Sequence, residues 1–449
     1  MHSLMKIAEQ ISPKIRNMLI VFSVLLFSLF NIAAAEVPTT ISIQEGLKIV
    51  IAENRVVRIA KLGEDIAKSD THIARSGLLP SLNASASYTS LANQPALIVG
   101  NQALSTSDSR YYAYSINIQQ ILFDFQGNLS RYDASRMLLE AKKFDTIRNK
   151  NLIAFEFTLA FYDFLESQHL VESAEKEINR LEAHLRDAHQ LFTAGVITRN
   201  DLLQAQVRLS DARQKLLSVQ NLEAVRAAKL NNLLLRPLSS EIRAADVVRT
   251  AEQPFEPVLE ILWEEALQRR SEIHIVDQTL KAIDFEAAVQ KSEFLPKLYV
   301  RGANDFMENS YLQHESNWSV VLGVTVNLFE GGRSVAELRK TESRKKQLLE
   351  QRAKLVDEIK LELKRYCLDH QTASARILAN RDAVEQAQEN LRINKRRYEE
   401  GEGTATEVLD AVTLLTVAET NHIRSVYDYQ KAEAAIHYAA GRDFLEVYK

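Results

Sequence analysis

The chain has 449 residues, with 55 basic against 59 acidic side chains and a formal net charge of −4. That balance argues against nucleic acid as a partner, because phosphate binding needs a basic surplus. A single cysteine, Cys367, excludes an internal disulfide and any multi-cysteine metal site.

Helix breakers are few and unevenly placed. Only 13 glycines and 8 prolines occur, and none lies between Asn128 and Ala194 or between Arg333 and Glu400. Uninterrupted runs of this length predict very long helices rather than a compact globular enzyme.

At the N-terminus, Lys6, Lys14 and Arg16 precede an apolar stretch from Met18 to Phe30, followed by Ala33-Ala34-Ala35 before Glu36. A basic segment, an apolar core of about 13 residues and a small-residue cleavage pattern predict a signal peptide over residues 1–35. The apolar run is too short to span a bilayer comfortably, and no later segment reaches about 18 consecutive apolar residues. Any membrane span of the mature chain must therefore be built from strands.

The rest of the chain repeats itself once. Residues 178–212 align without a gap with 384–418, at an offset of 206. The first copy runs through Leu185, Phe192, Gly195, Thr198, Asp201 and Ala205, and the second through Leu391, Tyr398, Gly401, Thr404, Glu407 and Ala411. Apolar residues at three- and four-residue spacing (Ile178, Leu181, Leu185, Ala188, Phe192, then Leu202, Ala205, Leu209, Ala212) predict helices packed as a coiled coil. Gly195 and Gly401 sit where one helix stops, and Thr198 and Thr404 are placed to cap the next. Leu78–Leu82 (LLPSL) likewise corresponds to Phe294–Leu298 (FLPKL), and Phe123-Asp124 before Gly127 to Phe329-Glu330 before Gly331-Gly332.

This duplication predicts a first repeat over 36–237 (helix, β-hairpin 80–125, long helix hairpin 127–236). A linker over 238–257 leads to a second repeat over 258–449 (helix, β-hairpin 296–329, long helix hairpin 332–441). In both β-hairpins the pattern alternates. Leu82, Ala84, Ala86 and Tyr88 oppose Asn83, Ser85, Ser87 and Thr89, while Tyr112, Tyr114, Ile116 and Ile118 oppose Ala113, Ser115, Asn117 and Gln119. Trp318, Val320, Leu322, Val324, Val326 and Leu328 alternate with Asn317, Ser319, Gly323, Thr325 and Asn327, Val321 being the exception. Each half thus holds two strands of about 10 residues joined by polar loops at 90–109 and 305–316. A transmembrane barrel needs such a lipid face and lumen face, but a half-buried hairpin in a soluble protein alternates in the same way.

Two constraints narrow the choice. Four strands cannot close a membrane barrel, since single-chain barrels begin at about eight, and an open sheet edge is forbidden in lipid. A membrane reading therefore requires an oligomer, and three chains would supply about 12 strands. The helical runs are the second constraint. At about 1.5 Å per residue they extend roughly 100 Å, which suits a tube projecting from a membrane.

The order of motifs, met twice, resembles the TolC-like outer membrane efflux proteins. The match rests on GEGTATEVLDA (Gly401–Ala411), LLPSL (Leu78–Leu82), LFEGGR (Leu328–Arg333) and FTAGVITRNDLLQAQ (Phe192–Gln206), and it covers essentially the whole mature chain. The resemblance implies an α+β membrane protein. It would form a homotrimer with a long α-helical coiled-coil barrel of 12 helices across the periplasm and a 12-stranded transmembrane β-barrel, four strands per chain, in the outer membrane. It further implies an exit duct of a tripartite efflux or type I secretion system, with a periplasmic adaptor and an inner-membrane transporter as partners. The rival reading is a periplasmic coiled-coil spacer or adaptor without a channel. Adaptors, however, carry glycine- and proline-rich lipoyl and barrel domains that this chain lacks.

No Ser/His/Asp grouping, phosphate loop or carboxylate pair in a pocket context appears, so the sequence predicts no enzyme, cofactor or metal site. His184 and His189, five apart, do not share a helix face. With His169, His370, His422 and His437 they read as solvated helix residues, Cys367 as a packing residue, and the mixed-sign run Arg339–Lys364 as a solvated face. Glu407 and Asp410, one helical turn apart, share a face; a solvated, dipole-favoured acidic helix start explains them equally well. The family resemblance implies more: acids at these positions line the periplasmic gate as rings, with Asp201 and Tyr398 in closing contacts. The family's arginine position falls on Gly403, a departure. The turns at Gly195, Thr198, Gly401 and Thr404 are expected to meet the adaptor.

Overall fold

The computed structural model describes residues 39–245 and 257–449. The expected signal peptide, 1–35, and much of the expected linker lie outside the described residues.

Chain order gives β1 (Thr39–Ile41), α1 (Ile43–Glu53), α2 (Arg55–Ser76), β2 (Ser81–Ser90), β3 (Ala96–Val99), β4 (Gln102–Ser105), β5 (Arg110–Phe123), α3 (Gly127–Thr193) and α4 (Arg199–Leu233). There follow β6 (Ile242–Ala244), α5 (Leu259–Arg269), α6 (Ser271–Ser292), β7 (Lys297–Met307), β8 (Ser316–Thr325), α7 (Arg333–Glu399), α8 (Ala405–Ala439) and α9 (Phe444–Val447). The breaker-free runs become α3 and α7, each of 67 residues, and both are followed by a returning helix of 35 residues. The leading helices also match, with 11 and 22 residues in each half. The segment 242–244, inside the expected linker, is a strand. It pairs parallel with β1, Thr39 opposite Ile242.

A helix of about 100 Å cannot bury a face on itself, and here each long helix is covered in two sections. Near the strands, α2 and α6 lie along α3. Thr71 Oγ1 donates to the Ser135 carbonyl at 3.4 Å, and Arg131 is 3.9 Å from Glu293. Near the turn, α4 takes over, with Lys215 Nζ donating to Glu177 at 2.9 Å and Arg213 to Glu182 at 2.8 Å. The charge-dense face of α7 is partly engaged rather than wholly solvated: Lys345 pairs with Asp284 and Arg352 with Asp277, both on α6. Opposite charges facing across a helix pair explain why both signs alternate there.

The thickest core lies midway along α3. Phe157, Phe161, Phe164 and Leu165 pack with Leu47 and Val50 of α1, Leu230 of α4, Ile242, Ala434 of α8 and Phe444 of α9. A second cluster joins Leu262, Ala266, Ile359, Leu363, Cys367 and Ile436. Cys367 is buried there as a packing residue, and burial raises its thiol pKa. A buried ion pair crosses the first core, Lys431 of α8 donating to Glu166 of α3 at 2.9 Å. His184, His370 and His437 are buried as well, which corrects the expectation of solvated histidines. The i, i+3/i+4 face of a helix buries whatever it carries, and scattered spacing along the sequence does not reveal which face that is.

The main sheet is antiparallel in the order β2-β5-β7-β8. Its register decides the faces: Ala84, Ile116, Asn304 and Trp318 form one row, Leu82, Ile118, Gly302 and Val320 the next. On the other face, Asn83, Asn117, Ala303 and Ser319 align, and so do Ser85, Ser115, Asp305 and Asn317. The alternation read from single strands carries across the sheet as one mainly apolar face, with Gln120 and Asn304 as polar interruptions on it. Trp318 and Val320 are both 81% exposed, an apolar surface that none of the described residues covers. Among the described residues both edge strands, β2 and β8, are unpaired on their outer sides.

Three details depart from the sequence reading. The loop 90–109 carries its own hairpin, β3 paired with β4. Strand β7 continues through Asp305 to Met307, where a loop was expected, because β5 is long enough to pair with it. Strand β8 stops at Thr325, so Val326 and Leu328 lie beyond it.

The approach of α1 to α3 supplies a test. A Cβ built on Gly46 would lie 2.0 Å from Phe157 Cζ, inside a packed aromatic cluster. Gly46→Ala should lower the melting temperature, overpacking costing about 1–3 kcal/mol. Adding Phe157→Leu should restore part of the loss, measured by thermal unfolding of both variants.

Candidate functional site: the paired helix turns

The site is built from the ends of four helices. Helix α3 stops because Gly195 takes φ +76°, and α7 because Gly401 takes φ +79°. Each is the left-handed residue of a Schellman motif. Gly195 N donates to Phe192 O and Val196 N to Leu191 O; Gly401 N donates to Tyr398 O and Glu402 N to Arg397 O. The next helix then starts on a capping box. Thr198 Oγ1 accepts from Asp201 N at 3.4 Å while Asp201 accepts from Thr198 N at 3.0 Å. Thr404 Oγ1 accepts from Glu407 N at 3.2 Å while Glu407 accepts from Thr404 N at 3.0 Å. Asp201 and Glu407 are thus equivalent capping acids, which gives their shared spacing a local structural cause.

The two turns are brought together side by side. Arg208 of α4 lies 3.9 Å from Asp410 of α8, and Thr406 Oγ1 donates to Gln204 Oε1 at 3.3 Å. Further along, Arg180 of α3 holds Glu419 of α8 through both carboxylate oxygens, at 2.9 and 2.5 Å. Asp410 keeps a side chain 67% exposed, whereas that of Glu407 is 43% exposed and lies 3.8 Å from Arg397. Each acid has a guanidinium nearby; they differ in that Glu407 is also committed to its cap while Asp410 is the more exposed.

Tyr398 is buried, 3% exposed, against Ala405, Val408, Leu191 and Ile197, while its repeat equivalent Phe192 is 38% exposed. Its ring packs on His184 at a centroid distance of 5.1 Å. Burial raises the tyrosine pKa, and Asp201 and Asp187 add to that. The Tyr398 hydroxyl finds no hydrogen-bond partner among the described residues, and within one chain Asp201 acts on it only as a nearby charge. Burial lowers the His184 pKa, partly offset by Asp187 and reinforced by Lys395. Gly403 has a steric explanation. A Cβ there would meet Tyr398 N at 3.0 Å and the Arg397 carbonyl carbon at 3.2 Å, so a side chain at the family's arginine position would need this turn to shift by a few tenths of an ångström. Arg397 supplies a guanidinium beside Glu407 instead.

Sequence reasoning missed Arg180, His184, Lys395, Arg397 and Glu419. A signal for them existed. Their repeat counterparts are Gln386, Asn390, His189, Leu191 and Arg213, so each breaks the internal symmetry. Contacts between two hairpins need complementary residues rather than identical ones.

With this geometry in view, comparison with known proteins decides the family. The model of the outer membrane efflux protein family matches residues 47–234 and 262–442. The chain belongs to that family. It is an outer-membrane exit duct that extends into the periplasm, and channels of this family work with adaptor and inner-membrane transporter proteins. It is 23% identical to the alkaline protease secretion protein AprF of Pseudomonas aeruginosa, over 74% of this chain and 69% of the relative. It is 22% identical to the toluene efflux pump outer membrane protein TtgC of Pseudomonas putida, over 90% and 84%. The crystal structure of the outer membrane protein VceC of Vibrio cholerae superposes with a TM-score of 0.76 at 17% identity, covering 90% of this chain and 96% of that one.

Removing the Thr404 hydroxyl should loosen the second turn without unfolding the protein. For Thr404→Ala, a lost cap costs about 1 kcal/mol, so amide exchange of Ala405–Val408 should quicken several-fold. The melting temperature should stay nearly unchanged, and hydrogen-exchange mass spectrometry reads both.

Proposed function

We propose that three copies of this exit duct close one barrel in the outer membrane and one helical tunnel below it, with the paired turns forming the periplasmic gate. The sheet is the observation that carries the reading. Four strands in one register present a mainly apolar face, and two open edges cannot stay unpaired in lipid. Joining β8 of one copy to β2 of the next satisfies both edges, and three copies give about 12 strands. On this reading residues 36–237 and 258–449 are two outer-membrane-efflux repeats, each contributing a β-hairpin and a helix hairpin to the assembly.

The turns at Gly195, Thr198, Gly401 and Thr404 are the ends that an adaptor would meet. Around a threefold axis Glu407 and Asp410 become two rings of three carboxylates, with Asp201 and Tyr398 on the neighbouring surface. Acidic rings attract cations in a narrow pore. Asp410 is the more exposed of the two, and a guanidinium moderates each, Arg208 beside Asp410 and Arg397 beside Glu407. Adaptor docking opens the gate by binding better to the open state. Relatives named for protease secretion and for toluene efflux match at similar identity, which supports a general exit duct and favours no single cargo.

Two experiments test this. Leu322→Arg, on the apolar face, should cost about 2–4 kcal/mol near the bilayer midplane and reduce trimer yield, whereas Ser319→Arg, on the polar face, should assemble normally. Light scattering of detergent-extracted protein reads the result, and a stable monomer would overturn the architecture. In planar bilayers the wild type should be cation-selective and blocked by trivalent cations from the periplasmic side. Glu407→Gln/Asp410→Asn should lose most of both properties, and Arg397→Gln should strengthen the cation preference. Unchanged selectivity in the double variant would move the gate elsewhere.

A further inference from the structure

Behind the gate acids, α3, α7 and α8 enclose a half-open cleft of about 290 Å³, near the lower end of small-molecule sites. One wall is apolar, made by Ala183, Leu391, Val408 and Val412. Asn179, Arg180, His184 and Lys395 line the cleft as well. The polar groups are not equally engaged. Arg180 is held by Glu419 through two hydrogen bonds. The Lys395 ammonium has Glu399 at 3.6 Å and Asp187 at 3.8 Å, both beyond hydrogen-bonding distance.

His184 carries the strongest signal. The residue is 4% exposed, lines the cleft, and its Nε2 has no hydrogen-bond partner among the described residues. A buried polar atom left unpaired costs about 1–3 kcal/mol, so such atoms usually have a partner in use. The charged and titratable groups around it are Asp187 and Arg180 on its own helix, Lys395 and Tyr398 on α7, Asp201 on α4 and Glu419 on α8.

We infer that this cleft is a binding site for a small amphipathic anion, an aryl or medium-chain carboxylate. Its apolar body would lie on Leu391, Val408 and Val412, and its carboxylate would accept from Lys395 Nζ and, once the imidazole turns its shielded edge toward the cleft, from His184 Nε2–H. Burial keeps the imidazole neutral, so it donates one N–H without bringing a second charge. Asp187 and Glu399 compete for Lys395, which limits the affinity to a modest value. The cleft is too small for a helix, which argues for a small molecule over a partner protein. The inference stands independently of the trimeric gate, since every lining residue belongs to one chain.

Accessibility of the cleft provides the test. Full-length protein carrying Cys367→Ser and Ala183→Cys is reassembled in lipid nanodiscs, and its labelling by a maleimide is timed. Millimolar 2-naphthoate should slow labelling about fivefold, as expected when ligand exceeds its dissociation constant several-fold. Uncharged 2-naphthamide should not. His184→Phe and Lys395→Met should each abolish most of the protection, while His184→Gln, which keeps a donor, should retain part of it. Absence of protection by naphthoate overturns the site. Equal protection by the amide also overturns it, since that would mark a merely apolar groove, suited to a side chain of a docking protein. Protection that survives both His184→Phe and Lys395→Met overturns the assignment of the anion-binding groups. Circular dichroism of each variant separates these outcomes from misfolding.

Discussion

A helix of 67 residues has no interior of its own, and the whole architecture follows from the need to cover its apolar stripe. Nucleation and propensity alone do not sustain such a length in water; lateral packing does. The chain meets this need with four shorter helices, α2, α4, α6 and α8, laid against α3 and α7. Where the covering helices change over, near Phe157 to Leu165, the belt of α1, α9, β1 and β6 fills the junction and makes the deepest core. That belt is the place where the fold tolerates least. Gly46 has no Cβ because the Phe157 ring occupies its space.

The two ends of the long helices face different solvents and obey different rules. At one end the chain forms a sheet with one mainly apolar face, interrupted by Gln120 and Asn304, and among the described residues backbone pairing is left incomplete at both edges. In water this would be an aggregation hazard. At the other end the helices turn back on glycine and threonine caps, and the two hairpins meet through a mixed seam: Leu181, Leu209, Leu409 and Val412 pack together, while Arg208 with Asp410, Thr406 with Gln204 and Arg180 with Glu419 add polar contacts.

Duplication explains both the economy and the blind spot of the design. Elements that close on themselves, such as the Schellman turns and capping boxes, recur in both repeats because their partners lie within a few residues. Elements that join the repeats cannot recur, since a surface must complement its neighbour. Hence Tyr398 is buried where Phe192 is exposed, and His184 sits against Tyr398 where the equivalent Asn390 has no such role.

What the sequence determined by itself was local or periodic. The absence of glycine and proline set the long helices, period-two alternation set the strand faces, and Gly195, Thr198, Gly401 and Thr404 marked the turns, because each of these depends on residues within one or two turns of chain. Tertiary structure alone decided the rest. Gly403 is crowded by Tyr398 and Arg397, and His184 and His370 are buried by helices far away in sequence. Glu407 looked like a free acid and proves to be tied to Thr404 and flanked by Arg397. Burial and pairing depend on which faces of distant helices meet, and no periodicity within a single helix specifies that.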